Sequence, residues 1–389
     1  MRMNAGLSAV LARDAVPPAW LLVIVVIVTG AVIGRLLTTA VARLVDPDPR
    51  SDAMVNRVVM VLSVATALGL WWWEVLARGQ VPAVTSDSSA GDLFPVVVRY
   101  AAHLALLTLL AAASWVDLRH RVIPDAITVP GVLLGMLWTA MVPDSLLPMA
   151  REVPRSFAPP LREPDVLGLL GGLRGDWPVW LEGFPHPWGL LAAAAIYAVW
   201  WLVGTEPTAG SAGSRSAWWQ RLATPRLLVG VIGGAIIVAA WLAGGLHWRA
   251  IQSSLVGMAV AAGMIWLTRA GASRALGREA MGLGDVTLMA MIGAWLGWQP
   301  CVLACFLAVF IGLTHGVVQI VARSETELPF GPSLCLASAA VVVWWRSLWE
   351  QTAVFFDRPH EMAAVVALVI GLTAVTLWIW NRIRPIAAE

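Results

Sequence analysis

Two stretches of this chain carry carboxylates in settings suited to chemistry. The first is Trp115-Val116-Asp117-Leu118-Arg119-His120-Arg121-Val122-Ile123-Pro124-Asp125-Ala126-Ile127-Thr128. The second is Gly277-Arg278-Glu279-Ala280-Met281-Gly282-Leu283-Gly284-Asp285-Val286-Thr287. Each borders a long apolar run. Two carboxyl groups at contact cannot both ionise, so they share a proton. One member can then activate water while the other protonates a leaving group, which cleaves a peptide bond without a covalent intermediate. Gly282 and Gly284 lack side chains, so an extended substrate backbone can approach Asp285 closely. Each acidic residue also has a plainer role open to it. Asp117 can be a solvated carboxylate beside Arg119 and Arg121. Asp285 and Asp125 can each cap a helix, and for Asp125, after Pro124, capping is the preferred role. Glu279 can position its loop, contact substrate or simply face solvent.

The elements that must hold these residues are apolar. Of 389 residues, 59% are hydrophobic and 13% charged, against about 25% charged in a typical soluble domain. Lipid is the natural solvent for such a chain. All 26 basic residues are Arg, and the net charge of +2 points to no nucleic-acid partner. Many of the 23 Trp sit at the ends of apolar runs, among them Trp20, Trp71 to Trp73, Trp115, Trp188, Trp298, Trp344 and Trp345, as expected of rings anchored at the headgroup level. Cys301, Cys305 and Cys335 form no Cys-x-x-Cys pair and read as buried, inert thiols. Neither a metal nor a cofactor is expected. The first apolar run is too long for the core of a signal peptide.

Runs of about 20 apolar residues, the length of a membrane helix, begin near Trp20, Val55, Pro95, Ala126, Trp188, Arg226, Ile251, Leu283, Cys301, Phe330 and Ala363. They predict an all-α polytopic membrane protein with about eleven spans, since lipid offers backbone groups no partners. Arg residues concentrate in alternate connections, which predicts an external N-terminus and a cytoplasmic C-terminus. Both Asp segments then lie on the cytoplasmic side. Pro143 to Pro187 reads as an external loop with a short interfacial helix.

Gly-x-Gly-Asp at the start of a membrane helix, preceded by Gly-Arg-Glu-x-Met, resembles the signature of the type IV prepilin peptidases. The Asp-Leu-Arg-x-x-x-Ile-Pro-Asp-x-x-Thr segment is similar to that family's first motif, and Leu328-Pro329-Phe330-Gly331-Pro332 is family-like as well. The resemblance covers about Pro95 to Pro143 and Ile251 to Trp345. It implies a membrane aspartic peptidase of the Gly-x-Gly-Asp class, with Asp117 and Asp285 as the catalytic pair and Gly282, Gly284, Asp125 and Glu279 in support. It further implies prepilin or pseudopilin substrates, a lipid environment and a multi-pass place in the inner membrane. The expected organisation runs as an N-terminal membrane region over 1–94, a first part of the peptidase core over 95–142, an insertion with two extra spans over 143–249, a second part of the core over 250–346 and an added span over 347–389. Bifunctional members carry a Cys-containing cytoplasmic domain after the first span. Here the loop Val45 to Val55 is short and holds no Cys, so N-methyltransferase activity is not expected. Position 287 is Thr where the family often has Lys.

Two other readings compete. A transporter could use the same carboxylates as a proton relay, but it should show internal repeats with broken helices at mid-membrane, and the chain has no evident repeat. Presenilin-like proteases of the same class present Tyr-Asp in their first motif, whereas Val116 precedes Asp117 here.

Overall fold

The computed structural model describes residues 19–44, 53–80, 93–148, 150–155, 158–164, 179–204, 218–279, 281–322, 330–356, 361–369, 371–372 and 375. The chain forms two compact units, Met1–Ala77 and Arg78–Glu389.

In the first unit, α1 (Ala19–Leu44) packs against α2 (Ala53–Leu70), which runs on into a π-helical turn at Trp71–Leu76. The two backbones meet at Gly30 and Gly34, one turn apart. A β-carbon at Gly30 would lie 2.8 Å from Val64 Cα, and one at Gly34 2.8 Å from Met60 Cα. Lipid gives apolar helices no hydrophobic reason to associate, so close backbone packing at small residues supplies the attraction.

The second unit comprises α3 (Leu93–His120), α4 (Asp125–Met141), α5 (Pro187–Gly204), α6 (Trp218–Ala243), α7 (Gly245–Leu276), α8 (Leu283–Leu296), α9 (Trp298–Ala322) and α10 (Gly331–Phe356). Residues 361–369 are also helical. All eleven expected apolar runs therefore contain helix. Among the described residues, seven helices are long and apolar enough to cross a membrane. Helices α4 and α8 are shorter. The chain is thus a helical, polytopic bundle, with one departure. Within the Pro-rich stretch, Ala150–Arg155 pairs antiparallel with Ala158–Pro164 as a two-stranded hairpin. Pro154, Pro159, Pro160 and Pro164 forbid a helix there, and a hairpin of two edge strands tolerates them. Short 3-10 turns stand at Pro143–Ser145 and Val179–Leu181, and residues 165–178 lie outside the described residues.

Helix α8 is the centre of this unit. Every residue from Asp285 to Leu296 is buried, which requires protein on all its sides. Its closest neighbour is α7, through Gly257 and Gly293. A β-carbon at Gly257 would lie 2.7 Å from Gly297 Cα, and one at Gly293 2.7 Å from the Met258 nitrogen. On the α4 side, the Trp295 ring fills a groove over Gly135, and its indole N–H donates to the Gly131 carbonyl at 2.9 Å. Gly297, with φ of +81°, breaks α8 from α9 in a single residue, a conformation open to glycine. Gly257→Ala is expected to cost about 1–3 kcal/mol, the usual range for overpacking. Gly234, on α6, has no heavy atom within 4 Å of a β-carbon. Gly234→Ala should therefore be neutral or stabilising by up to about 1 kcal/mol through helix propensity. Thermal unfolding of both variants in detergent checks the contrast.

The aromatic anchors divide. Trp20, Trp72, Trp188 and Trp344 are well exposed, as interfacial rings should be. Trp71 and Trp345 are instead buried, and the Trp345 indole N–H donates to the Pro148 carbonyl at 2.7 Å. The Arg99 side chain, also buried, donates from Nε to the carbonyls of Asp144 and Leu146. These two side chains fix the turn that leaves α4. All three cysteines are buried.

Candidate active site

The first carboxylate sits in the last turn of α3. The Arg121 N–H bonds to the Asp117 carbonyl at 2.7 Å, and Arg121 takes a left-handed conformation with φ of +55°. Helices commonly end on such a residue, usually glycine. The chain then passes through Ile123, which turns inward and is buried, to Pro124 and α4.

The second carboxylate lies in the first turn of α8, where Gly282 holds the N-cap position. Gly284 lies against Ile123: a β-carbon there would be 3.1 Å from Ile123 Cβ. On its other side, Ile123 meets Gly331, the first residue of α10, where a β-carbon would be 2.9 Å from Ile123 Cδ1. That same β-carbon would overlap a carboxylate oxygen of Asp117. The Gly331 backbone N–H donates to the Asp117 carboxylate.

Three helix ends thus converge. Asp117 and Asp285, on two of these ends, are 5% and 8% exposed. Cys335, one turn along α10 from Gly331, hydrogen-bonds Ser114, one turn back along α3 from Asp117. Two buried carboxyls, distant in the chain, therefore stand on converging helix ends at one end of the bundle. Such a pair has the makings of an acid and a base acting on one water.

The other residues singled out in the sequence fall around this pair. Gly282 is exposed and Gly284 half-buried. Neither Asp is a helix cap. Gly282 takes that position before α8, and Pro124, which has no side-chain hydrogen bond to offer, takes it before α4. Asp125 is instead the exposed first residue of α4, where its charge favours the positive end of the helix dipole. The exposed Glu279 pairs with Arg269. Sequence reasoning missed Ser114, Ile123, Arg269 and the part played by Gly331. Ile123 and Gly331 left a signal, as fixed positions of the Ile123-Pro124-Asp125 and Phe330-Gly331-Pro332 segments.

The fold and the site together define a polytopic helical protein with a buried pair of carboxyls at one end of its bundle. Residues 218–317 match the family model described as the type IV leader peptidase family. The match contains the Asp285 motif, leaves Asp117 outside and begins within the stretch 143–249. Several curated proteins named prepilin leader peptidase/N-methyltransferase are similar to the chain. The protein from Stutzerimonas stutzeri is 36% identical over 98 residues, covering 24% of this chain and 32% of the relative. That from Pseudomonas aeruginosa is 42% identical over 71 residues, 18% of this chain and 24% of the relative. That from Pseudomonas putida is 33% identical over 105 residues, 26% and 36% respectively. The chain thus spans about a third or less of the length of these relatives. No solved structure matches it. The likeness to type IV prepilin peptidases, first drawn from the motifs, is borne out.

Proposed function

We propose that this chain is a prepilin leader peptidase, an aspartic endopeptidase that removes the leader from prepilins or pseudopilins at the cytoplasmic face of the inner membrane. The observation that carries the reading is the burial of Asp117 and Asp285 on helix ends that converge around Ile123 and Gly331. In this reading the two carboxyls share one proton. The charged member takes a proton from water, and the other gives its proton to the leaving amine. Gly282 keeps the approach to Asp285 open and Gly284 makes room for Ile123, while Asp125 and Glu279 stay at its edge. The substrate's apolar segment lies among the helices. About eleven spans with an external N-terminus place the pair toward the cytoplasm, and the core comprises 95–142 and 250–346. Similarity to leader peptidases favours this reading over a proton-relaying transporter.

N-methylation is not part of the proposal, although the relatives' names include it. The connection between α1 and α2 is short and has no Cys. The test is co-expression with candidate prepilins in a host stripped of its own leader peptidase. Leader loss, read as a gel shift, supports the proposal, and an intact precursor with every candidate sinks it. The mass of the mature product should be that of an unmethylated N-terminus.

A further inference from the structure

The link between α7 and α8 is short and rich in glycine. Helix α7 ends on Gly277 in the left-handed region, with φ of +67°, and α8 starts after the extended Gly282. With Gly284 just inside α8, three glycines surround the turn that delivers Asp285. Glycine leaves a backbone free to take many conformations, yet acid–base chemistry on a bound water demands tight placement. A misplacement of about 1 Å can cost roughly 10²-fold in rate. Something must hold this turn.

The side chain of Arg269, about two turns before the end of α7, reaches over it. Its Nε donates to the Met281 carbonyl at 2.8 Å, one residue before the cap of α8. Its terminal nitrogen pairs with the Glu279 carboxylate. Two of the three guanidinium nitrogens thus bond to one six-residue link, and Gly277 lets the chain double back to receive them. The planar fork can grip two points at once, which a lysine ammonium on its flexible stem cannot do with the same geometry. The Glu279 arm is well exposed, so its pairing is worth little alone. The charge-assisted bond to the Met281 carbonyl is the stronger arm.

We infer that Arg269 is a positioning residue: it clamps the 277–282 turn onto the end of α7 and so sets where Asp285 stands relative to Asp117. This rests on the leader-peptidase reading for its kinetic consequence, but the clamp itself has a readout independent of it.

The test uses the full chain in nanodiscs with a prepilin substrate, comparing Arg269→Met, Arg269→Lys and Glu279→Gln. Arg269→Met is expected to lower kcat by about 10–100-fold with KM within about twofold. Arg269→Lys should recover only part of that loss, and Glu279→Gln should cost less than Arg269→Met, because the Met281 bond survives. In parallel, limited trypsin digestion reads nicking after the exposed Arg278. Nicking should be several-fold faster in Arg269→Met than in wild type. Wild-type kcat in Arg269→Met overturns the inference, and so does a raised KM with unchanged kcat, which makes Arg269 a substrate contact. Unchanged nicking also overturns it. If the wild-type chain cleaves no prepilin, the leader-peptidase reading fails, while the nicking comparison still decides whether the clamp exists.

Discussion

Asp285→Asn and Asp117→Asn are each expected to abolish leader removal while the protein still inserts and folds. The amide matches the carboxyl in size, and an Asn at 117 still offers an oxygen to the Gly331 N–H. What the amide cannot do is exchange a proton with water. General acid–base steps contribute about 10²–10⁴-fold each, and here one pair supplies both, so losses of at least about 10³-fold are expected for either variant. The two residues act as a unit, so the double variant should be no worse than a single one. The wild-type rate should rise and fall around one pH optimum, because only the singly protonated pair is competent, and the flanks belong to the pair rather than to either residue. Leader removal followed by gel shift, beside immunoblots of membrane fractions, measures all of this. Full processing by either single variant removes the mechanism.

Much of the helical framework was legible because lipid leaves a chain so few choices. Each apolar run had to become helix and each contains one, though the helices expected near Arg226 and Ile251 begin earlier, at Trp218 and Gly245. Length did not reveal which helices face lipid. Leu283–Leu296 reads as one more span, yet from Asp285 to Leu296 it is enclosed by neighbours, because Gly257, Gly131 and Gly135 make room for Gly293, Met291 and Trp295. That fit depends on residues far apart in sequence. Trp345 shows the same limit. Its place near a helix end suggests an interfacial ring, whereas a carbonyl beyond α4 accepts its N–H and draws it inside. Asp125 fails as a cap for a local reason: the helix begins one residue earlier than a capping Asp needs, leaving Pro124 at the cap. The carboxyl pair was visible in the sequence as two motifs, but the parts that hold it were not. Ile123 sits between two glycines from α8 and α10, and although it stands in the first motif, nothing in its own segment says that it packs there.

Gly331 is where that support can be broken with one methyl group. Gly331→Ala should leave the backbone N–H in place, since the residue opens a helix, but its β-carbon would overlap an Asp117 oxygen and lie 3.2 Å from Asp117 Cγ. The carboxylate must then leave the position in which the N–H holds it. A displacement of about 1 Å is expected to lower kcat by roughly 10²-fold. The stability cost should stay within the roughly 1–3 kcal/mol of ordinary overpacking, so protein levels and melting behaviour should change far less than turnover. The β-carbon would also meet Ile123 Cδ1 at 2.9 Å, which gives the test its discriminating arm. Ile123→Val removes that methyl. If crowding against Ile123 caused the defect, the Gly331→Ala/Ile123→Val double variant would recover. Recovery is not expected, because the overlap with the carboxylate remains. Gly312→Ala is the control on the neighbouring helix. Its β-carbon would approach Ser333 Oγ and the Phe330 ring no closer than 3.6 Å, an ordinary contact beside the same turn, so activity should stay within about twofold of wild type. Wild-type kcat in Gly331→Ala, or rescue by Ile123→Val, would show that Asp117 is not held in the way its contact with α10 requires.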